Sequence, residues 1–226
     1  SKSLDILYEN KNIIICNKPP GILSQPSSKS DKDTLLNRLY NFYGDEIRIC
    51  NRLDRNTSGI IICAKNFLAA QQINNLIANK LIEKFYLTII KGQINKSGYL
   101  EDYIKKDKTS NISYLDKKNK DTKKIITEYR PIKFNNDFTL LELKLVTGRS
   151  HQIRLHMKSI NHEIIGDRKY GDKDINRFFY NKFGLRNQLL HAYKIKFQSG
   201  ELDIQNQEII CPLSPIFLDI KKALFY

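Results

Sequence analysis

Apolar residues along the chain fall into two patterns, short continuous runs and a spacing of three and four. LDILYE (residues 4–9) and NIIICN (12–17) are rich in β-branched residues and split by a polar turn, which predicts two strands. Lys18-Pro19-Pro20-Gly21 then halts regular structure, because proline fixes φ and lacks an N–H. Over residues 33–43, Leu35, Leu36, Leu39 and Tyr40 recur at helical spacing behind Asp33, predicting a helix with Asp33 as its N-cap. The pattern next predicts strands at 47–50 and 59–64, a helix at 66–80 and a strand at 84–91. Residues 105–124 hold few apolar groups and many lysines, and read as an exposed hairpin or loop. Strands at 125–134 and 138–146 precede a short helix capped by Ser150, whose core stripe is Ile153, Met157 and Ile160. Residues 172–188 read as irregular, basic and aromatic, before a strand at 189–197 and a final helix at 216–224. With no internal repeat and no linker, the pattern predicts one α+β domain over residues 1–226. Its sheet would be mixed and largely antiparallel, flanked by helices and loops.

Composition adds a partner class. The 226 residues carry 38 Lys and Arg against 24 Asp and Glu, a formal net charge of +14. A nucleic acid is the first polyanion to expect, because neutralising phosphates releases condensed counterions. The same wealth of Lys, Asn and Ile follows from an AT-rich genome, so charge alone does not mark a site. No run approaches the ~18 apolar residues of a membrane span and no start resembles a signal peptide, so no membrane partner is expected. Cys16, Cys50, Cys63 and Cys211 form no C-x-x-C pair, and three lie in Ile-rich runs. They read as reduced, buried thiols of a cytoplasmic protein. His151 and His156 are five apart and would face different sides of a helix, a poor metal site.

Three side chains stand out for chemistry. Asp54 sits between Arg52 and Arg55, so its carboxyl is expected to stay ionised, which suits a nucleophile or fixed anion. An isolated Asp-Arg pair in a loop is ordinarily a surface ion pair. Here the turn formers Asn56, Thr57, Ser58 and Gly59 follow at once and strands hold both ends, as in loops that present functional groups. Arg154 lies one step off the apolar stripe of its helix, placed either to pair with a buried carboxylate or to lie exposed beside Lys158. Tyr86 alternates along its strand with Phe85 and Leu87. It offers either half-buried packing, or a ring to stack on a base and a hydroxyl for proton transfer.

These residues carry a family resemblance. NRLDRNTSG (residues 51–59) resembles the H-R-L-D-x-x-T-S-G signature of the RluA-type pseudouridine synthases, which include the RluC and RluD branches. Lys18-Pro19-Pro20-Gly21 resembles the family's K-P-x-G element, and Lys84-Phe85-Tyr86 with Gly92 its K-x-Y…G element. TGRSHQIRLHM (147–157), GDRKYG (166–171) and LHA (190–192) resemble the remaining three, in family order. Asn51 departs from the pattern, standing where many members have His.

The resemblance implies the pseudouridine synthase fold with a central catalytic cleft. It also implies isomerisation of uridine within RNA to pseudouridine, with no metal and no small-molecule cofactor. It makes Asp54 the catalytic aspartate, Tyr86 the ring that stacks on the target base, and Arg154 an ion-pair partner that positions Asp54. Arg52, Arg55, Lys18, Arg149 and His151 become the RNA-binding residues. The partner is then ribosomal RNA, the large subunit first, or tRNA, met by a monomer that flips its target uridine out of the stack. Relatives often carry an N-terminal S4-like domain, which residues 1–226 do not contain. Two other readings compete. A non-catalytic ribosome-assembly factor would not need Asp54, Tyr86 and Arg154 together. A glycosidase or nuclease would need a second carboxylate or a metal, and the motifs offer Asp54 no acidic partner.

Overall fold

The computed structural model describes residues 3–198, 200–204 and 207–226. In chain order its elements are β1 (Asp5–Glu9), β2 (Ile13–Lys18), α1 (Leu35–Tyr43), β3 (Arg48–Ile49), β4 (Ser58–Ala64), α2 (Phe67–Ala78) and β5 (Ile82–Lys91). Then come β6 (Gly98–Lys106), β7 (Ser113–Asp116), β8 (Lys123–Phe134), β9 (Phe138–Leu145), α3 (Gln152–Ser159) and α4 (Lys173–Phe183). The last are β10 (Leu190–Phe197), the short 3-10 turn Glu201–Asp203, β11 (Glu208–Ile210) and α5 (Pro215–Phe225). The fold is α+β with a mixed sheet. Every strand pair of described register is antiparallel except β4 with β10.

The chain divides into two compact units, one running to Lys84 and joined by His191–Leu213, the other Phe85–Leu190 with Ser214–Tyr226. In the first unit the strand order is β1-β2-β4-β10, with β3 on β4 and β11 on β10. Continuous rather than alternating apolar runs make β2 and β4 buried on both faces. Ile13, Ile14, Ile15, Cys16, Ile61, Ile62 and Cys63 all have zero exposure. Leu35 and Leu39 of α1 and Ile73 of α2 are also buried. In the second unit the order is β5-β9-β8-β6-β7. There Ile104, Ile125, Leu155 and Tyr170 form one buried cluster.

Several expectations need correction. The N-cap of α1 is Thr34, which forms a reciprocal capping box with Asn37; Asp33 instead pairs with Arg38 at 2.9 Å. Tyr40 is exposed, so the buried stripe of α1 is narrower than its spacing suggested. Helix α3 is preceded by His151 in the left-handed region (φ 60°), not capped by Ser150, and all six residues from Gln152 to Met157 are buried. Residues 172–188 are largely helical: Asp172 caps α4 through Asp174 N and Ile175 N, and Gly184 (φ 72°) ends it. Strand β6, whose first seven residues precede 105–124, was not foreseen. The 105–124 segment itself closes as the antiparallel β6–β7 hairpin followed by a loop.

Candidate functional site

In the first unit Asp54 is half-buried in the loop between β3 and β4. Its carbonyl accepts from Thr57 N at 3.1 Å, closing a turn. The backbone on each side is pinned. Ser24 Oγ donates to the Leu53 carbonyl at 2.9 Å and accepts from Leu53 N at 3.0 Å. The Arg55 carbonyl accepts from Gly21 N at 2.8 Å and from Lys18 Nζ at 2.9 Å. Asn51 grips β4 from the loop's other end: its Nδ2 donates to the Ile60 carbonyl and its Oδ1 accepts from Ile62 N at 2.7 Å. The departure from the family pattern is thus an amide that supplies both halves of a strand-like pairing.

Lys18 is a correction. It has zero exposure, and its ammonium donates to the carbonyls of Pro19, Ile22 and Arg55 at 2.8, 2.8 and 2.9 Å. With all three protons committed to backbone, it is an internal tether and not a contact for RNA phosphate. Burial pulls its pKa down to about 7, Arg55 adds to that, and the negative charge of Asp54 opposes it. Arg52 and Arg55 are exposed.

Thr57-Ser58-Gly59 shapes the exit from the loop. Gly59 has φ +116°, and a Cβ there would lie 2.3 Å from the Ala192 carbonyl oxygen, so only glycine lets β10 approach. His191 Nε2 faces the Cys211 carbonyl at 3.2 Å and must donate to it, which makes Nδ1 the acceptor for Ser58 Oγ at 2.7 Å. Burial lowers the His191 pKa and favours this neutral form. The LHA element therefore braces the aspartate loop, a role its sequence did not announce.

In the second unit Tyr86 is buried on β5 at 7% exposure. Strand β5 is braced by Thr88 Oγ1 on the Leu189 carbonyl at 2.7 Å and by Ile165 N on the Ile89 carbonyl at 3.0 Å. Arg154, expected at the edge of the core, is buried at 7% exposure and clamped by Asp167. Arg154 Nε donates to Asp167 Oδ2 at 2.7 Å and Nη2 to Oδ1 at 2.8 Å. Burial would raise the Asp167 carboxyl, but Arg154 and the N–H groups of Tyr170 and Lys169 outweigh it and hold it below the usual range. Asp167 is a second carboxylate inside a motif, which the reading of no acidic partner overlooked; its position in GDRKYG was the available signal.

His151 Nδ1 lies 2.8 Å from the Tyr170 hydroxyl, which also accepts from Ser113 N at 2.9 Å. Arg149 is exposed, and its backbone N–H is held by Gln152 Oε1 at 3.1 Å. Gln152 also donates to the Ile126 carbonyl and Thr127 Oγ1, fixing the start of α3 to β8. Among the described residues no three His, Cys, Asp or Glu side chains gather as metal ligands, and no helix is long and apolar enough to cross a membrane.

A family model described as RNA pseudouridylate synthase matches residues 12–159. The chain is 38% identical over 207 residues to ribosomal large subunit pseudouridine synthase D of Borreliella burgdorferi, covering 87% of this chain and 61% of that protein's length. It is 34% identical to ribosomal large subunit pseudouridine synthase D of Buchnera aphidicola, covering 99% of this chain and 73% of the relative. To tRNA pseudouridine synthase C of Vibrio cholerae it is 30% identical, covering 86% of this chain and 85% of the relative. The fold matches human RNA pseudouridylate synthase domain containing 4 with a TM-score of 0.77 at 22% identity, covering 97% and 92% of the two chains.

Proposed function

The chain belongs to the RluA-type RNA pseudouridylate synthase family, and on that premise we propose that it isomerises specific uridines in structured RNA to pseudouridine. The observation that carries this reading is the loop of Asp54. A half-buried carboxylate is presented on a turn whose backbone is pinned by Lys18, Gly21, Ser24 and Asn51. Such pinning fixes the backbone from which the carboxylate projects, so the loop has little left to reorganise during reaction.

In the isomerisation the N1–C1′ bond breaks, C5 joins C1′, the C5 proton leaves and N1 gains a proton. Asp54 is the catalytic carboxylate, acting either by covalent addition at the sugar or by assisting cleavage to a glycal-like species. Both routes need it ionised. Tyr86 supplies the ring against the base and a hydroxyl within proton-transfer chemistry. Arg154 supplies a buried guanidinium. Arg52, Arg55, Arg149 and His151 hold RNA, and no metal or small-molecule cofactor takes part. Reaching the uridine requires that it be flipped out or taken from a loop, since the reacting atoms are hidden in a stack.

Large-subunit ribosomal RNA is the preferred substrate, supported by the two relatives named for it. Transfer RNA is the second reading, favoured by the Vibrio cholerae relative, which the chain matches over most of both lengths. Mapping pseudouridines in total RNA from a deletion strain against its parent tests both. Loss of one or a few large-subunit positions supports the first, loss of a tRNA position the second, and an unchanged map refutes the function.

A further inference from the structure

We propose that Asp167 is a positioning residue for this reaction, acting through Arg154. The inference rests on the reading of Arg154 as an active-site guanidinium. Asp167 takes two nitrogens of that guanidinium, Nε and Nη2, in one bidentate clamp at 2.7 and 2.8 Å. A planar fork held on two nitrogens has a single orientation left. The Tyr170 ring lies 5.1 Å from the Arg154 guanidinium carbon, and the Tyr170 hydroxyl is itself fixed by Ser113 N and His151.

The carboxylate is held as firmly as the group it holds. Asp167 Oδ1 also accepts from Lys169 N at 2.9 Å and Tyr170 N at 3.0 Å, and its exposure is 1%. Its carbonyl accepts from Gly171 N and from Asn176 Nδ2, both at 2.9 Å, while Asn176 Oδ1 accepts from Gly166 N at 2.7 Å. A Cβ on Gly171 would lie 2.2 Å from that same carbonyl, and one on Gly166 would lie 2.4 Å from the Asn187 carbonyl oxygen. The GDRKYG element is thus a socket built around one carboxylate.

Folding alone does not call for such a socket. Buried ion pairs are weak stabilisers, and apolar residues of like volume commonly replace them without loss. A pair whose two members are each fixed in direction fits a demand for orientation, where about 1 Å of misplacement costs on the order of 100-fold in rate.

The test uses a C5-tritiated transcript of large-subunit ribosomal RNA or tRNA spanning the mapped uridine, with enzyme in excess, so that tritium release reports one turnover. Asp167→Asn is expected to bind the transcript with wild-type affinity and to release tritium about 100-fold more slowly. In an Arg154→Ala background the same substitution is expected to add no further loss of rate, because the two groups act as one pair; a merely structural defect would instead lower the RNA affinity of Asp167→Asn together with its rate. A folded Asp167→Asn protein within threefold of the wild-type rate overturns the proposal, as does a full additional loss in the Arg154→Ala background. Where Asp167→Asn does not fold, Asp167→Glu takes its place, since it keeps the charge and shifts the clamp by one methylene. Slow release at wild-type affinity upholds the proposal, and a wild-type rate overturns it. If Arg154→Ala itself turns over normally, the reading of Arg154 fails and the proposal falls with it. If Arg154→Ala is slow while Asp167→Asn is normal, only the proposal falls.

Discussion

The buried ammonium of Lys18 donates to the backbone carbonyl of Arg55 at 2.9 Å, one residue beyond Asp54. A charge placed by the sequence at the end of β2 therefore holds the loop that presents the carboxylate. Lys18→Met removes three charge-assisted donors from the carbonyls of Pro19, Ile22 and Arg55. The expected outcome is at least a tenfold slower single-turnover rate with unchanged RNA affinity, because such bonds contribute about 1.5–3 kcal/mol each. A weakened RNA affinity with normal turnover would return Lys18 to the RNA-facing surface.

Buried bases give the fold a pH dependence of one sign. Burial takes the Lys18 pKa from 10.5 to about 7, so between those values the unfolded chain keeps a proton that the folded chain has lost. Stability then rises with pH across that window. His191 and His156 are lowered mainly by burial, with Asp102 opposing the shift at His156. Their contribution is present above the ordinary histidine value and is lost as pH falls toward their folded values. Urea unfolding from pH 5.5 to 9 is expected to show stability climbing. Lys18→Met should flatten the part above pH 7, and His191→Asn should flatten the acid side. Curves for the variants that run parallel to the wild type contradict this account.

Gly59→Ala meets backbone, not a movable side chain. Its Cβ would lie within 2.8 Å of the oxygen, nitrogen and carbon of Ala192, at a φ of +116°. Strain and overpacking together are expected to cost at least about 2 kcal/mol, lowering the melting temperature by roughly 4–8 °C for a chain of this size. A melting temperature within a degree of wild type would show that β4 and β10 can separate without cost.

Asn51 is expected to matter for the fold of the loop rather than for RNA. Asn51→Ala leaves Ile62 N and the Ile60 carbonyl without their side-chain partner, at about 1–3 kcal/mol. Asn51→Asp keeps the acceptor for Ile62 N but sets a carboxylate against the Ile60 carbonyl, and should be the less stable of the two. Chemical denaturation distinguishes them, and equal stability of both variants with wild type would refute the pairing.

Most strands and helices were legible because continuous Ile-rich runs and 3.6-residue spacing depend only on neighbours in sequence; β6, with its charged residues, was not. Boundaries were less so: Thr34 outcompetes Asp33 for the cap because Asn37 completes a box with it, while Asp33 is drawn to Arg38. Helix α4 was hidden by its basic and aromatic residues, although Asp172 and Gly184 marked both ends. Lys18 was misread because lysine is ordinarily exposed, and only the fold brings three carbonyls to its ammonium. Asp167 lies 13 residues from Arg154, and no local pattern pairs them. The identity of each motif was readable from the chain; which groups each motif holds was not.

On the proposed function the Asp54 carboxylate carries the isomerisation. The direct measurement is tritium release from C5-tritiated uridine in the mapped RNA by wild-type protein and by Asp54→Asn, which keeps the side chain's shape and removes its charge. Wild-type protein is expected to release tritium stoichiometrically and Asp54→Asn none above background, with RNA affinity equal within about threefold. Release by Asp54→Asn at a rate near wild type would contradict that role.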